Sequence, residues 1–499
     1  MSATAGTVRL ASATGRGVLI ATVLATGIAF LDSTVVNVAL PTIGRELDAN
    51  LAGLQWTITG YTLTLAALIL LGGSLGDRYG RRRILVIGTV WFAVASALCG
   101  IALNIEFLIA ARLLQGVGGA LLTPGSLALI QATYHPDDRA KAIGAWSGLG
   151  GVATAIGPFL GGWLVDAVSW RLVFLINLPL AALVIVFAFR FVPESRDDRV
   201  QHFDLTGAVL GALGLAGLTY ALVEAPDAGA SPLVVGAAVG GVIGLTAFIV
   251  VERRRRDPML PPDLFRSVTF SAVNVVTFMI YAALGGILFF VVLQLQTVSG
   301  YSALAAGISL LPFTAMMLLL SAQSGSLAQR FGPRTQLICG PVIAGLGTLL
   351  MLRIGPHASY LVDVLPAVLV LALGITAVVA PLTSTVLAAA EVRHAGVASG
   401  VNNAVARAAG LIAVAALPLV AGLSGAAYRQ PAQFGHGFRI AMVCCAGLFF
   451  LGGLLAAILV RHPEPFAPKS VPSRRITCDV CGPPIEAGRP AEAGTAPRG

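Results

Sequence analysis

Residues 73–82 read Gly73-Ser74-Leu75-Gly76-Asp77-Arg78-Tyr79-Gly80-Arg81-Arg82, and residues 325–334 read Gly325-Ser326-Leu327-Ala328-Gln329-Arg330-Phe331-Gly332-Pro333-Arg334. Six of the ten positions are identical and a seventh pairs Tyr79 with Phe331, at an offset of 252 residues. The same offset carries Gly144, Ser147 and Gly148 onto Gly396, Ser399 and Gly400. Two separate segments in one register mark a duplicated unit. Each copy of the basic, Gly-containing stretch follows an apolar run, so each reads as a short charged turn between two hydrophobic segments.

Apolar runs dominate the chain. A helix needs about 20 residues to cross about 30 Å of hydrocarbon. Fourteen stretches supply them, near 17–41, 54–75, 84–104, 107–129, 143–166, 172–192, 205–224, 232–251, 268–293, 304–327, 335–354, 361–384, 397–420 and 438–460. Of 499 residues, 57% are hydrophobic and 11% charged, against about 25% charged in a soluble domain. The 58 glycines suit close helix approach in lipid. These figures exclude a soluble enzyme, a disordered chain and a nucleic-acid binder. The first run exceeds the roughly 7–15 residues of a signal-peptide core, and it is read as a span. The fold class is an all-α polytopic membrane protein. The repeat pairs spans 1–6 with spans 9–14. The predicted organisation is an N-terminus over 1–16, a six-helix half over 17–192, a two-helix insertion with its flanking loops over 193–267, a second half over 268–460, and a Pro-rich, disordered tail over 461–499. Parallel six-helix halves place a substrate path at their interface.

The net charge of +9 has its origin in topology. Seventeen of the 32 basic residues fall in the loops after spans 2, 4, 6, 8, 10 and 12, and five lie on the opposite side. Basic loops stay in the cytoplasm, so both termini are expected there.

Few ionisable groups lie within the spans. Asp32 is the one acid placed deep inside a span, and Arg112 and Arg407 are the only basic residues inside spans. A carboxylate at mid-bilayer costs at least about 2.5–3.5 kcal/mol and often marks a proton route. The alternative is a structural Asp satisfied by hydrogen bonds in the bundle. Arg112 differs in depth from Asp32 by only about 5 Å at the helical rise. A nearby Arg favours the ionised carboxylate and desolvation the neutral one, and opposed terms of this kind poise a group to load and release a proton. The alternative for Arg112 is a packing ion pair, and Arg407 is a candidate for the substrate cavity, its role otherwise open. Gly157-Pro158 with Gly161-Gly162 puts a kink and two close-contact surfaces into span 5. Thr22, Thr26, Ser33 and Asn37 share one face of span 1 and are expected to line a central cavity, with Asp32 at the edge. Tyr61 and Trp146 are candidates for stacking on a substrate, with aromatic-belt or core roles as the alternative. Glu224 closes span 7 as an interfacial acid or a relay. Four of the six cysteines sit in apolar runs as small hydrophobes. The pair Cys478/Cys481 falls short of the usual four ligands of structural zinc, so no metal is expected. No Gly-Lys dipeptide occurs, which rules out a phosphate-cradling P-loop.

The 6+2+6 layout and the loop over 73–82 are joined by Leu31-Asp32-Ser33-Thr34-Val35-Val36-Asn37-Val38-Ala39-Leu40-Pro41, Arg112-Leu113-Leu114-Gln115-Gly116 and Gly157-Pro158-x-x-Gly161-Gly162. Over residues 17–460 this set resembles the major facilitator superfamily, most closely its fourteen-span drug:proton antiporters. The resemblance implies the major facilitator fold with 14 transmembrane helices and a proton-coupling role for Arg112 beside Asp32. It also implies that the span-5 motif seals a seam between the halves. Gly73, Asp77, Arg78, Gly80 and Arg82 would form a cytoplasmic gate latch, with Asp77 capping a helix or pairing with Arg across the inner seam. Gln329 in place of Asp would make the second copy weaker. The implied activity is export of hydrophobic neutral or cationic drugs, antibiotics or biocides by proton antiport with alternating access. No enzyme activity and no cofactor beyond the proton gradient is expected. The partners are protons, a small hydrophobic substrate and the lipid of a bacterial cytoplasmic membrane, with the chain acting as a monomer. A dedicated metabolite exporter or a proton-coupled importer on the same scaffold is the alternative.

Overall fold

The computed structural model describes residues 8–196, 204–255, 260, 262–389 and 395–460. The tail over 461–499, with Cys478 and Cys481, lies outside them. Fourteen helices are long and apolar enough to span a membrane: α1 Ala13–Glu46, α2 Leu51–Tyr79, α3 Arg81–Gly100, α4 Ile105–Thr133, α5 Pro136–Ala167, α6 Leu172–Phe191, α7 Leu205–Ala228, α8 Pro232–Arg254, α9 Val268–Thr297, α10 Ala303–Ala328, α11 Pro333–Arg353, α12 Tyr360–Ala388, α13 Val397–Val420 and α14 Pro431–Leu459. Among the described residues the one β feature is a bridge between Val8 and Tyr134.

Each helix overlaps the apolar run that predicts it, and the run over 84–104 outlasts α3 by four residues. The largest differences are at α5 and α14, which start seven residues early at Pro136 and Pro431. Proline is pre-organised for the first helical turn, and the polar turns that follow it carry no hydropathy signal. Side-chain oxygens cap several starts by accepting a backbone N–H three residues on: Ser12 from Gly15, Asn50 from Gly53, Asn104 from Phe107 and Ser231 from Val234. The duplicated turn has one backbone solution in both copies. Gly80 ends α2 at φ 111° and Gly332 ends the matching helix at φ 81°, a region open to glycine and strained for other residues.

Packing repeats as the sequence does. In the first half α4 lies along α2 and α3, and α1 along α5 and α6; in the second, α12 lies along α10 and α11, and α9 along α13 and α14. The halves meet along α5/α10, α2/α13 and α1/α9, and α7 packs on both α2 and α13. The insertion thus covers one seam. Its outermost helix, α8, turns Val239, Val242 and Ile243 outward at more than half exposure, a surface for lipid. Where α7 and α8 meet α2 and α13 there is an apolar cavity of about 220 Å³, bounded by Leu70, Gly211, Phe248 and Val405.

The end bearing the basic loops is here called inner, the other outer. The halves are joined at the outer end. Asp166 on α5 accepts the backbone N–H groups of Ala303 (3.3 Å) and Leu304 (2.8 Å) at the start of α10. Gln296 Nε2 donates to Val38 O (2.9 Å) and Gln55 Nε2 to Val414 O (2.8 Å). Tyr428 Oη donates to Ala49 O at 2.9 Å, and Arg429 pairs with Asp48 at 2.8 Å. Further in, the seam opens. Gly144, Gly148 and Gly151 lie on the same face of α5 as Pro158 and Gly162, yet a Cβ at any of the three would touch nothing within 4 Å; the same is true of Gly325 on α10. Helices α5 and α10 therefore diverge from a closed outer end.

Candidate functional site

Asp32 and Arg112 are brought into direct contact. Arg112 Nη1 donates to Asp32 Oδ2 at 2.5 Å, and both side chains are at most 1% exposed. Asp32 Oδ1 accepts from Gln115 Nε2 (2.9 Å) and from Asn177 Nδ2 (3.1 Å). Ser96 ties the two amides together, accepting from Gln115 Nε2 (3.1 Å) and Asn177 Nδ2 (3.0 Å) while donating to Phe174 O (2.8 Å). The guanidinium is fixed in turn by Nε donating to Thr57 O (2.9 Å), by Gln115 Oε1 (2.7 Å) and by the Tyr61 ring, 4.4 Å below its centre. Helices α1, α2, α3, α4 and α6 thus converge on one carboxylate. Three donors surround it, and no part of it reaches solvent.

Gln115, Ser96 and Asn177 belong to this site; Gln115 lies in the motif that begins at Arg112 but has no assigned role there, and Ser96 and Asn177 carry no sequence signal, because uncharged polar residues are common in spans. The polar stripe on α1 is a correction. Thr22 and Thr26 are fully buried, Thr22 bonding Val18 O of its own helix and Thr26 accepting from Trp146 Nε1 at 3.1 Å. Neither lines open space, because α5 covers that part of the face. Ser33 and Asn37 are half-buried and bond their own helix backbone. Of the two roles open to Tyr61, stacking on a substrate or packing in the core, it takes the second: it is 2% exposed and lies under Arg112. Glu224 is half-buried and accepts from Trp56 Nε1 at 2.8 Å, which ties α7 to α2.

The span-5 motif divides between two neighbours. A Cβ on Gly161 would come within 2.9 Å of Val35 on α1, and one on Gly157 would collide with Thr34. Gly162 faces α10, where a Cβ would stand 2.6 Å from both Ala303 O and Leu304 Cα, and the Pro158 carbonyl presses on Gly307. These opposing atoms include backbone, which cannot swing aside. Gly162→Val is therefore expected to lower transport at least about ten-fold by wedging the outer seam, while Gly148→Ala, in open space, leaves it near parental. Drug-efflux rates of the two variants at matched expression check this.

The inner turn also differs from expectation. Asp77 pairs with Arg81, 2.7 Å away and four residues on, rather than across the seam. The start of α3 is capped by Glu194, which accepts from Arg82 N (3.0 Å) and Arg83 N (3.2 Å). Nothing in the sequence singles out Glu194, 112 residues from Arg82. Arg82 donates to Val192 O (3.3 Å), the Arg78 guanidinium lies 5.3 Å from the Tyr79 ring centre, and a Cβ on Gly73 would touch Pro124 at 3.6 Å. The insertion holds two further buried acids, Asp204 and Glu252, each 2% exposed, with Arg255 2.7 Å from Asp204.

The sequence profile of the Major Facilitator Superfamily matches residues 22–415. The chain belongs to that superfamily. It is a membrane transporter and not an enzyme. Among curated relatives, the methylenomycin A resistance protein of Bacillus subtilis (strain 168) is 36% identical, covering 87% of this chain and 92% of its own. The puromycin resistance protein pur8 of Streptomyces alboniger is 36% identical over 86% and 88% of the two chains. The tetracenomycin C resistance and export protein of Streptomyces glaucescens is 36% identical over 78% and 72%. Among solved structures, a peptide transporter POT in complex with sulfate superposes with TM-score 0.68 at 16% identity, over 91% of this chain and 97% of that one. An inward-facing bacterial homolog of the human lysosomal transporter Spinster gives TM-score 0.63 at 16%, over 89% and 97%. Both share the fold of this major facilitator protein.

Proposed function

We propose that this major facilitator protein exports small hydrophobic, antibiotic-like compounds in exchange for protons, with Asp32 as the proton-carrying group. The observation that carries this reading is a carboxylate with no exposed surface, held at mid-span by Arg112, Gln115 and Asn177. Curated relatives whose names record antibiotic resistance and export support the direction of transport. The basic loops and both termini face the cytoplasm of a bacterial cell, and a single chain is the working unit. Seen this way, the outer end is closed and the widening between α5 and α10 faces inward, ready to load cargo while Asp32 is charged. Protonation would remove the partner of Arg112, loosen the hold of α4 on α1, and so free the first half to tilt. No bound cofactor takes part; the proton gradient supplies the energy. The expectation of a cationic cargo is withdrawn, because Arg407 places a positive charge at the same depth.

The reading is tested in inverted vesicles carrying the protein. Adding a transported compound is expected to release protons from the acidified lumen, and a protonophore is expected to abolish uphill uptake of that compound. Uptake that survives the protonophore, with no proton release, would sink it.

A further inference from the structure

Among the described residues Arg407 is the one charge near mid-span that the Asp32 site does not absorb. It sits ten residues from one end of α13 and thirteen from the other, near mid-membrane depth, and it is half-buried. Only its Nε is engaged, donating to Asn403 Oδ1 at 3.1 Å. Among the described residues no carboxylate comes within ion-pair distance of Arg407, and neither of its Nη groups has a hydrogen-bond partner. Its electrostatic neighbours are Tyr61 of α2 and Tyr281 of α9. The Tyr61 hydroxyl is buried and bonds nothing. Close by on α13, Asn402 Nδ2 donates to Thr277 Oγ1 (2.7 Å) and Asn274 Oδ1 (3.2 Å) on α9.

A guanidinium offers five N–H donors in a planar fork suited to a carboxylate, and charged side chains within a bilayer pair with an opposite charge or mark a substrate path. Asp32 is already neutralised by Arg112, so the charge on Arg407 stands uncompensated. It also stands where α2 of the first half meets α9 and α13 of the second, the interface at which such transporters hold cargo. We infer that Arg407 reads the charge of the cargo, and that the transported class is hydrophobic organic anions: an apolar ring system bearing one carboxylate or ionised phenol. The anion would take the unused Nη edge of Arg407. This inference rests on the export reading above and narrows its substrate.

The test uses inverted vesicles and three fluorescent probes of differing charge: fluorescein (anion), Nile red (neutral) and ethidium (cation). The parent is expected to accumulate fluorescein in preference to ethidium. Arg407→Gln is expected to lower the fluorescein:ethidium uptake ratio at least about ten-fold, the loss typical of a charge-assisted fork. Arg407→Lys, which keeps the charge and loses the fork, should fall between them, and Arg407→Glu should invert the preference. Monodispersity and thermal unfolding of each purified variant establish that it is folded, and if Arg407→Gln is not, the Lys variant carries the comparison. A parent that moves ethidium as well as or better than fluorescein overturns the inference while the export reading stands. So does an uptake ratio unchanged within two-fold in the folded variants. A parent that moves none of the three probes counts against both.

Discussion

Asp32→Asn is expected to collapse the substrate gradient that energised vesicles sustain. One proton falling through 100 mV contributes about 2.3 kcal/mol, enough to hold a neutral solute at a gradient of roughly fifty-fold with one-to-one coupling. Without a titratable group at position 32 the ratio should settle near one, although exchange down a gradient can persist. The amide is close to the carboxylate in size, so packing against α4 and α6 is kept. Its NH2 cannot accept, so it meets either Arg112 Nη1 or the Gln115 and Asn177 amides, all of which donate to Asp32, and at least one of these bonds is lost. Asp32→Glu keeps the charge with a longer reach and should retain part of the coupling. A vesicle assay of substrate-driven proton movement separates these outcomes. An Asn variant that still concentrates a compound against its gradient would show that the proton is carried elsewhere.

Arg112→Ala should have the largest effect on stability. It leaves a carboxylate with no solvent exposure and no cation beside it, and breaking a buried pair from one side typically costs about 3–5 kcal/mol. The bond from Arg112 Nε to Thr57 O and the stacking on Tyr61 are lost with it. The double variant Asp32→Ala/Arg112→Ala removes the stranded charge and should recover much of the loss, giving a coupling energy well above that of independent sites. Thermal unfolding of detergent-purified single and double variants measures this. Additive losses would mean that the two residues do not act as a unit. Arg112→Lys is not a conservative control, because an ammonium cannot serve Thr57 O and Asp32 from one rigid plane.

The bundle was largely legible from one-dimensional properties. Length of apolar run gives a span, and the offset of 252 residues that pairs Gly80 with Gly332 gives the duplication. Asp32 and Arg112 stood out because deep charges are rare in spans. Their partners did not: Ser96, Gln115 and Asn177 become a site only when α3, α4 and α6 bring them to one point. Periodicity placed Thr22 and Thr26 on the right face of α1, but it cannot say whether that face meets a cavity or a neighbouring helix, and α5 occupies it. For the same reason the sequence leaves Asp77 between a helix cap and an Arg across the seam, when Arg81 lies one turn away, and it does not single out Glu194 as the cap of α3. Asp204 and Glu252 lie just outside the apolar runs over 205–224 and 232–251, where exposure is the default, yet both are buried.

Asp227, just past Glu224 on α7, holds Asn50 Nδ2 with one carboxylate oxygen (2.9 Å) and the Gly425 N–H with the other (2.6 Å). Asn50 leads into α2 and Gly425 follows α13, so a single side chain straddles the two halves at the outer rim, beside the Leu51 N–H bond to Gly425 O. In the proposed export cycle that rim would part. With Trp56 already bound to Glu224, the extra hairpin would ride with the first half, and both bonds to Gly425 would break. The greasy recess at Leu70, Gly211, Phe248 and Val405 has walls on both sides of that break. Each turnover would then pump its volume against the surrounding acyl chains, which makes the annular lipid a mechanical participant in the cycle.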